Sequence, residues 1–220
     1  MPNPVAMQAQ EWSLYTRDGE RKYINGSERQ RVLAVLGMLN DAERLFVLTL
    51  IWSGGRISEV LALAPSSFQL EERLVAFRTL KRRRHHIREV PLPPDHLASL
   101  DRTFQLSAAR NDPSRSRERL WPWHRVTAWR LVKRVMRAAG LSGVRACPKG
   151  LRHAFGVATL RAQVPKNVRQ KWLGHARPET TDIYSAVCGP DEIAFARLFW
   201  RASEGGRALP APPSHAAPEV

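Results

Sequence analysis

A mainly helical α+β fold with one small antiparallel sheet is what this chain of 220 residues predicts. Three observations carry that expectation. Apolar residues recur at helical spacing, behind helix-start signatures, from Ser27 to Leu63 and again from Trp123 onward. Between Phe68 and Pro93 the period changes to two, the spacing of strands. Hydrophobic residues make up 43% of the chain, enough for a proper core and too many for wholesale disorder.

Residues 1–26 are polar and irregular, with Pro2, Pro4, Gly19 and Gly26, and read as a partly flexible N-terminal arm. Ser27 with Gln30 has the form of a capping box, ahead of Val32, Leu33, Leu36 and Leu39 at helical spacing. Asn40 with Glu43 opens a second helix. Its Leu45, Val47, Leu48 and Ile51 leave it apolar nearly all round, so it belongs at the centre, and Gly54-Gly55 stops it. A short helix follows from Arg56 to Leu63, ending before Pro65. It places Arg56 and Glu59 on one face, where an ordinary salt bridge is the simplest reading of the pair.

Two strands come next, the first with Leu74, Ala76 and the alternation up to Leu80, the second with Ile87, Val90 and Leu92. Between them runs Lys81-Arg82-Arg83-Arg84-His85-His86. Adjacent cations repel one another and are costly without an anion, which favours a DNA-facing hairpin over a merely solvated turn. Pro94 to Ala109 is expected to be helical, and residues 111–119 a polar loop. The helix expected over Trp123–Ala139 has Trp129, Val132 and Met136 on one face. Arg130, Lys133, Arg134 and Arg137 form a basic stripe on the other, with no acid in the helix, and Gly140 stands where a left-handed residue should end it.

Three further helical segments are read from Lys149 to Gln163, from Lys166 to Leu173 behind Pro165, and from Glu179 to Val187 behind Pro178. Asp191 to Arg201 is amphipathic and very apolar, and must bury itself either at home or in a neighbouring subunit. Residues 203–220 are Ala/Pro-rich and expected to be a disordered tail. The organisation predicted is therefore an arm (1–26), one folded domain (27–202) and a tail (203–220).

The charge balance narrows the partner. Lys and Arg number 35 against 20 Asp and Glu, a net +15. Such an excess suits a polyanion, since each phosphate contact releases counterions, and nucleic acid is the leading candidate. A membrane surface fits less well, because no basic helix has a broad apolar face. Cys147 and Cys188 are too few and too far apart for a zinc motif or a disulfide framework. The N-terminus lacks a charged-then-apolar signal, and the longest apolar run, Leu45 to Trp52 broken only by Thr49, is too short to span a bilayer. A soluble cytoplasmic protein is expected.

The chemistry concentrates between Cys147 and Val187, which holds Arg152, Leu173-Gly174-His175 and Tyr184. With Arg56 and Lys81 upstream, these are the parts needed to attack a phosphodiester without metal. Guanidinium groups meet the non-bridging oxygens two bonds at a time, and Arg56, Arg152 and His175 can serve there. Tyr184 offers a phenol oxygen as nucleophile, and a covalent phosphotyrosine conserves the bond for rejoining. Lys81, its pKa pressed downward by Arg82 to Arg84, can protonate the leaving 5′ oxygen.

Taken together, Gly55-Arg56-Ile57-Ser58-Glu59-Val60, Lys81 ahead of Val90-Pro91-Leu92, Gly150-Leu151-Arg152-His153-Ala154-Phe155, Leu173-Gly174-His175 and Thr180-Thr181-Asp182-Ile183-Tyr184 resemble the catalytic domain of the tyrosine recombinase (phage integrase) family over residues 27–202. The resemblance implies a site-specific DNA recombinase working through a 3′-phosphotyrosine, with neither metal nor cofactor. It implies Arg56 and Arg152 as phosphate ligands, Lys81 as general acid, His175 as a phosphate or nucleophile ligand, Tyr184 as nucleophile and Glu59 as the acid that orients Arg56. Lys149 stands where the family usually has histidine, a retuned site in which lysine donates to phosphate or accepts the tyrosine proton. Only 55 residues precede Arg56, so the resemblance covers a catalytic domain without the usual helical core-binding domain. A homotetramer on DNA, docking through helix 191–201, is implied, with an accessory or full-length recombinase as a possible partner. His153 is expected in the core or behind the site. Two rivals are carried with this reading: a non-catalytic, accessory DNA-binding module, and a relaxing enzyme of the type IB topoisomerase kind.

Overall fold

A computed structural model describes residues 13–78, 87–175 and 179–186, together with Ala196, which is helical. The chain divides into two compact units, 1–187 and 188–220, and everything described below lies in the first.

The first helix, α1 (Gly26–Val35), is capped two residues before the expected Ser27. Asn25 Oδ1 accepts the Glu28 amide at 2.9 Å, and the Glu28 carboxylate returns the bond to the Asn25 N–H, also at 2.9 Å. The carboxylate decides this. It is buried and held by Arg21 at 2.9 Å and Arg145 at 3.1 Å, partners that the Gln30 amide could not attract as strongly. A single 3-10 turn, Leu36–Met38, leads to α2 (Asp41–Ser53), where Asn40 caps the Glu43 amide at 2.9 Å as expected. Leu45, Phe46, Val47, Leu50 and Ile51 are all buried, and α2 runs through the centre of the core.

The segment ahead of α1, expected as a partly flexible arm, is packed on the core where it is described. Residues 13–25 turn back on themselves, with Lys22 N–H donating to Leu14 O at 2.7 Å and Thr16 N–H to Glu20 O at 2.8 Å. Leu14, Tyr23 and Ile24 are fully buried in the common core. Three apolar side chains scattered among polar neighbours show no period, which is why they read as an arm.

Three strands form the sheet, in the order β1 (Phe68–Gln69), β2 (Leu74–Arg78), β3 (Ile87–Pro91), all antiparallel. Val75, Phe77 and Val90 point into the core, whereas Leu74 and Ala76 take the other face and Ile87 is 55% exposed. Ile87 and Val90 are an odd number of residues apart and cannot share a face of one strand. The inward position two before Val90 is Arg88, which pairs across the sheet with Phe77.

The predicted helix after the sheet is two, α4 (Pro94–Phe104) and α5 (Leu106–Ala109), broken at Gln105 with φ of +53°. The short helix ahead of the sheet is α3 (Ile57–Val60). The polar loop 111–119 is tied down by Ser66 N–H to Ser116 O at 2.9 Å. Trp121 then fills the core, its Nε1–H donating to Ala42 O at 2.9 Å.

Helix α6 (Arg125–Ala138) buries Ala128, Leu131, Val132, Val135 and Met136 and ends at Gly140, φ +67°, as expected. Trp129, expected on the buried face, is 45% exposed, because the stripe centres on Ala128, Val132 and Val135 and leaves position 129 at its edge. The last elements are α7 (Pro148–Arg161), α8 (Lys166–Leu173) and α9 (Glu179–Asp182), the last running into a 3-10 turn, Ile183–Ala186. No helix among the described residues is long and apolar enough to cross a membrane.

The packing of the N-terminal segment has a measurable consequence. Leu14→Ala should cost about 2–5 kcal/mol in urea unfolding, the range for a buried leucine. A segment merely tethered to the surface would lose almost nothing.

Candidate functional site

The site is built outward from one buried carboxylate. After the Gly54-Gly55 turn, Arg56 is extended and caps α3, so Glu59, in its first turn, can reach back. Glu59 Oε2 accepts the Arg56 N–H at 2.8 Å and Oε1 accepts its guanidinium at 2.9 Å. The expected salt bridge is therefore present, but it is half of the arrangement. Arg88 grips the same carboxylate with Nη2 at 2.7 Å and Nη1 at 3.1 Å, and its Nε–H donates to Trp172 O at 2.8 Å. Its guanidinium lies 4.6 Å above the Phe77 ring, a further cation–π contact. Burial alone would raise the Glu59 pKa, yet the two arginines hold it down at about 2. Arg56 stays 40% exposed at the side chain, so its outer edge can meet a ligand.

Arg152 comes from the first turns of α7 and is buried. Its Nη1 donates to Gly54 O at 2.7 Å, and its Nη2 to Leu173 O. Burial lowers its pKa to about 9, helped by Arg56 and opposed by Tyr184 and Glu59, so it remains protonated at neutral pH. Leu173 ends α8, and Gly174 (φ +62°) turns the chain sharply there. A methyl group at position 174 would lie 2.9 Å from Arg88 Cδ, so the Leu-Gly-His corner rests on Arg88 as well as on Arg152.

His175 follows the corner, its Nδ1 3.0 Å from Thr181 Oγ1. Burial, then Arg152 and Arg56, push its pKa down to about 3, so the ring is neutral. That ring stacks on Tyr184, with centroids 6.3 Å apart and planes at 10°. His153 meets the same phenol edge-on at 6.2 Å. Gly156 of α7 lies against the ring, where a methyl group would approach Tyr184 Cζ to 2.2 Å, so only glycine fits beneath it. Tyr184 is 1% exposed, and burial pushes its phenol up to about 12 against the pull of Arg152, Arg169 and Arg56.

Of the residues singled out in the sequence, the structure thus brings together Arg56, Glu59, Arg152, His175 and Tyr184. Lys149 is exposed in the first turn of α7, one turn before His153, whose pKa it helps to lower. Lys81, Arg82, Arg83 and Arg84, and the segment 191–201 apart from Ala196, lie outside the described residues. On α6, Arg130, Arg134 and Arg137 are exposed and Lys133 lies 5.8 Å over the Trp129 ring. Although α6 contains no acid, Arg134 is paired with Glu43 of α2 at 2.6 Å, so the stripe is not purely cationic. Arg88 was not singled out. Its signal is its register, an arginine at an inward strand position two residues before Val90.

A mainly helical α+β domain that gathers two arginines, a histidine and a clamped tyrosine is the class that fold and site define. The chain belongs to the phage integrase family, whose sequence pattern matches residues 23–188. Over 172 residues it is 30% identical to tyrosine recombinase XerA of Thermococcus onnurineus, covering 76% of this chain and 58% of that protein. Its fold is similar to that of XerH site-specific recombinase bound to difH substrate in a pre-cleavage complex. There the TM-score is 0.64 at 18% identity, over 84% of this chain and 59% of that one. It also superposes on the whole of the catalytic domain of bacteriophage HP1 integrase, TM-score 0.56 at 19% identity, over 86% of this chain and 100% of that one. The chain spans less than two thirds of the length of the XerA proteins it matches.

Two outcomes are expected from this geometry. Arg88→Met should cost about 3–5 kcal/mol in urea unfolding, because it strands a buried carboxylate, and adding Glu59→Met should recover part of the loss. Acid should also destabilise the fold, in two stages. His96, buried on α4, His153 and His175 have folded pKa values of about 4, 3 and 3, below the usual 6.5. Glu59 is held at about 2, below its usual 4.5. In each case the unfolded chain binds more protons, so stability should fall as pH drops below about 6.5 and fall more steeply below about 4.5. Urea midpoints at a series of pH values read this directly, and a level profile between neutral pH and about 5 would contradict the buried neutral histidines.

Proposed function

We propose that this chain cuts and rejoins DNA strands through a covalent bond between Tyr184 and a DNA 3′-phosphate. The observation that carries the reading is the clamped phenol. Tyr184 is held between His175 and Gly156 and lies within the field of Arg152 and Arg56.

The scissile phosphate binds between the two guanidinium groups. Bonds to Gly54 O and Leu173 O fix the fork of Arg152 and leave its other N–H groups for phosphate oxygens. Glu59, itself gripped by Arg88, fixes Arg56 in the same way. Neutral His175 supplies one N–H donor and adds no charge. The phenol oxygen attacks phosphorus, the bond to the 5′ oxygen breaks, and Lys81 gives that oxygen a proton. The phenol proton passes to water, and Lys81 later regains one from water, so the proton count is unchanged. Rejoining is the reverse. These groups supply the charge stabilisation the transition state requires, so the reaction takes no cofactor. Lys149, exposed at the start of α7, donates to the bound DNA where the family usually has histidine.

Duplex DNA is the proposed partner. The net charge of +15 supports this, with Arg130, Lys133 and Arg137 on α6 and Arg82, Arg83 and Arg84 between the strands as backbone contacts. Exchange between two duplexes needs four such protomers, and the apolar segment 191–201 is the proposed contact between neighbours.

Covalent trapping tests the proposal. Protein incubated with nicked suicide duplexes in EDTA, then denatured, should carry a DNA adduct that is absent from Tyr184→Phe. Arg56→Ala and Arg152→Ala should each slow its formation by about 10²–10³-fold. An adduct that persists in Tyr184→Phe, or that forms only with a divalent cation, overturns the reading.

A further inference from the structure

One buried cation has no part in the chemistry above. Arg169, on α8, is 7% exposed, and its Nε and Nη1 lie inside the protein with no hydrogen-bond partner among the described residues. A buried guanidinium is ordinarily paired, because an unmade bond at a charged donor costs the full desolvation of that group. The carboxylate whose charge acts on Arg169, Asp182, has its Oδ1 engaged by Lys166 Nζ at 2.5 Å.

Arg169 belongs to the elements packed around the Tyr184 turn. It lies four residues before Leu173, on the inner side of the helix whose end binds Arg152. Helix α8 packs on α9, which leads directly into the turn carrying Tyr184. Asp182 and the Tyr184 phenol are the two acids whose charge acts on Arg169. The charge of Arg169 acts on the phenol together with those of Arg152 and Arg56.

We propose that Arg169 is a further catalytic residue of the strand-transfer site: its two unused N–H groups receive the oxygen of Tyr184 as that oxygen loses its proton and turns to phosphorus. The inference rests on the strand-transfer reading. Arg169 neither gives nor takes a proton. The phenol O–H bond breaks with its proton passing to water, the O–P bond forms, the P–O5′ bond breaks, and the 5′ oxygen is protonated by the general acid. Arg169 holds the transient phenolate and so carries in advance the unmade bonds that the resting protein tolerates. The other groups acting on or packed against the phenol are Arg152 and His153 of α7, His175 beyond α8, and Arg56 at the start of α3. Both histidines are neutral at neutral pH, so the charge felt there comes from the three arginines.

The test separates this role from a structural one and from the strand-transfer reading itself. A fluorinated tyrosine, whose phenol titrates several units lower, is placed at position 184 in the full chain, and its titration is followed by fluorine NMR without DNA. Arg169→Met should raise the midpoint by about one unit or more, and Arg169→Lys should restore part of the shift. In the natural-tyrosine protein, Arg169→Met should slow adduct formation by about 10²-fold while DNA affinity holds. The thermal midpoint of Arg169→Met should be equal to or above that of the parent, because an unpaired buried cation has been removed. An unchanged phenol titration, or a large drop in thermal midpoint, overturns the proposal. A shifted titration in a protein that forms no adduct would leave Arg169 in contact with the phenol and overturn strand transfer instead.

Discussion

The Glu59 carboxylate, buried between two arginines, is the constraint on which the rest of the site depends. A carboxylate out of water is costly unless it is both paired and hydrogen-bonded, and here each oxygen is reached from two sides. Because Arg88 belongs to the sheet and also holds Trp172 O, one anion ties α3, β3 and the end of α8 together. Such a cluster contributes less to net stability than a well-packed apolar replacement would. Its value lies in direction: a bidentate pair permits one orientation of the fork, and Arg56 inherits that orientation through the shared acid.

Close approach does for the tyrosine what charge does for the arginines. Gly54 lets Phe155 come within 2.4 Å of where a methyl group would stand, and Gly156 does the same for the Tyr184 ring. The glycines are therefore part of the site without carrying any chemistry. They let α7 lie flat against both the α2–α3 turn and the phenol. With His175 stacked on the other side, the ring is held by shape, which leaves its oxygen as the one part of the side chain still to be used.

Much of this was legible in the sequence, and what was not has identifiable causes. Asn40, Gly54 and Gly140 announced their helix ends because caps depend on local backbone geometry. The motif residues Arg56, Arg152, His175 and Tyr184 were readable as a set, although no local rule shows that they meet. Arg88 was missed because a charged residue in a strand reads as facing water, whereas the period of two places it with Val90. The N-terminal segment was misjudged because Leu14, Tyr23 and Ile24 lack periodicity, and only tertiary packing reveals their burial. Arg169 gave no sign beyond sharing a helix face with Leu173, since an unpaired charge in a core is what sequence rules advise against.

The bond from Arg152 to the Gly54 carbonyl spans 98 residues of chain. The bond from Arg88 to Trp172 spans 84. Contacts of that range close late, after the local helices have formed. During synthesis the Arg56 half of the site emerges while the Leu173 corner and Tyr184 are still to be made. A nascent or truncated chain thus offers cationic surface but no seated phenol. The long-range lock therefore acts in time: the phenol is seated only once the domain around it is complete.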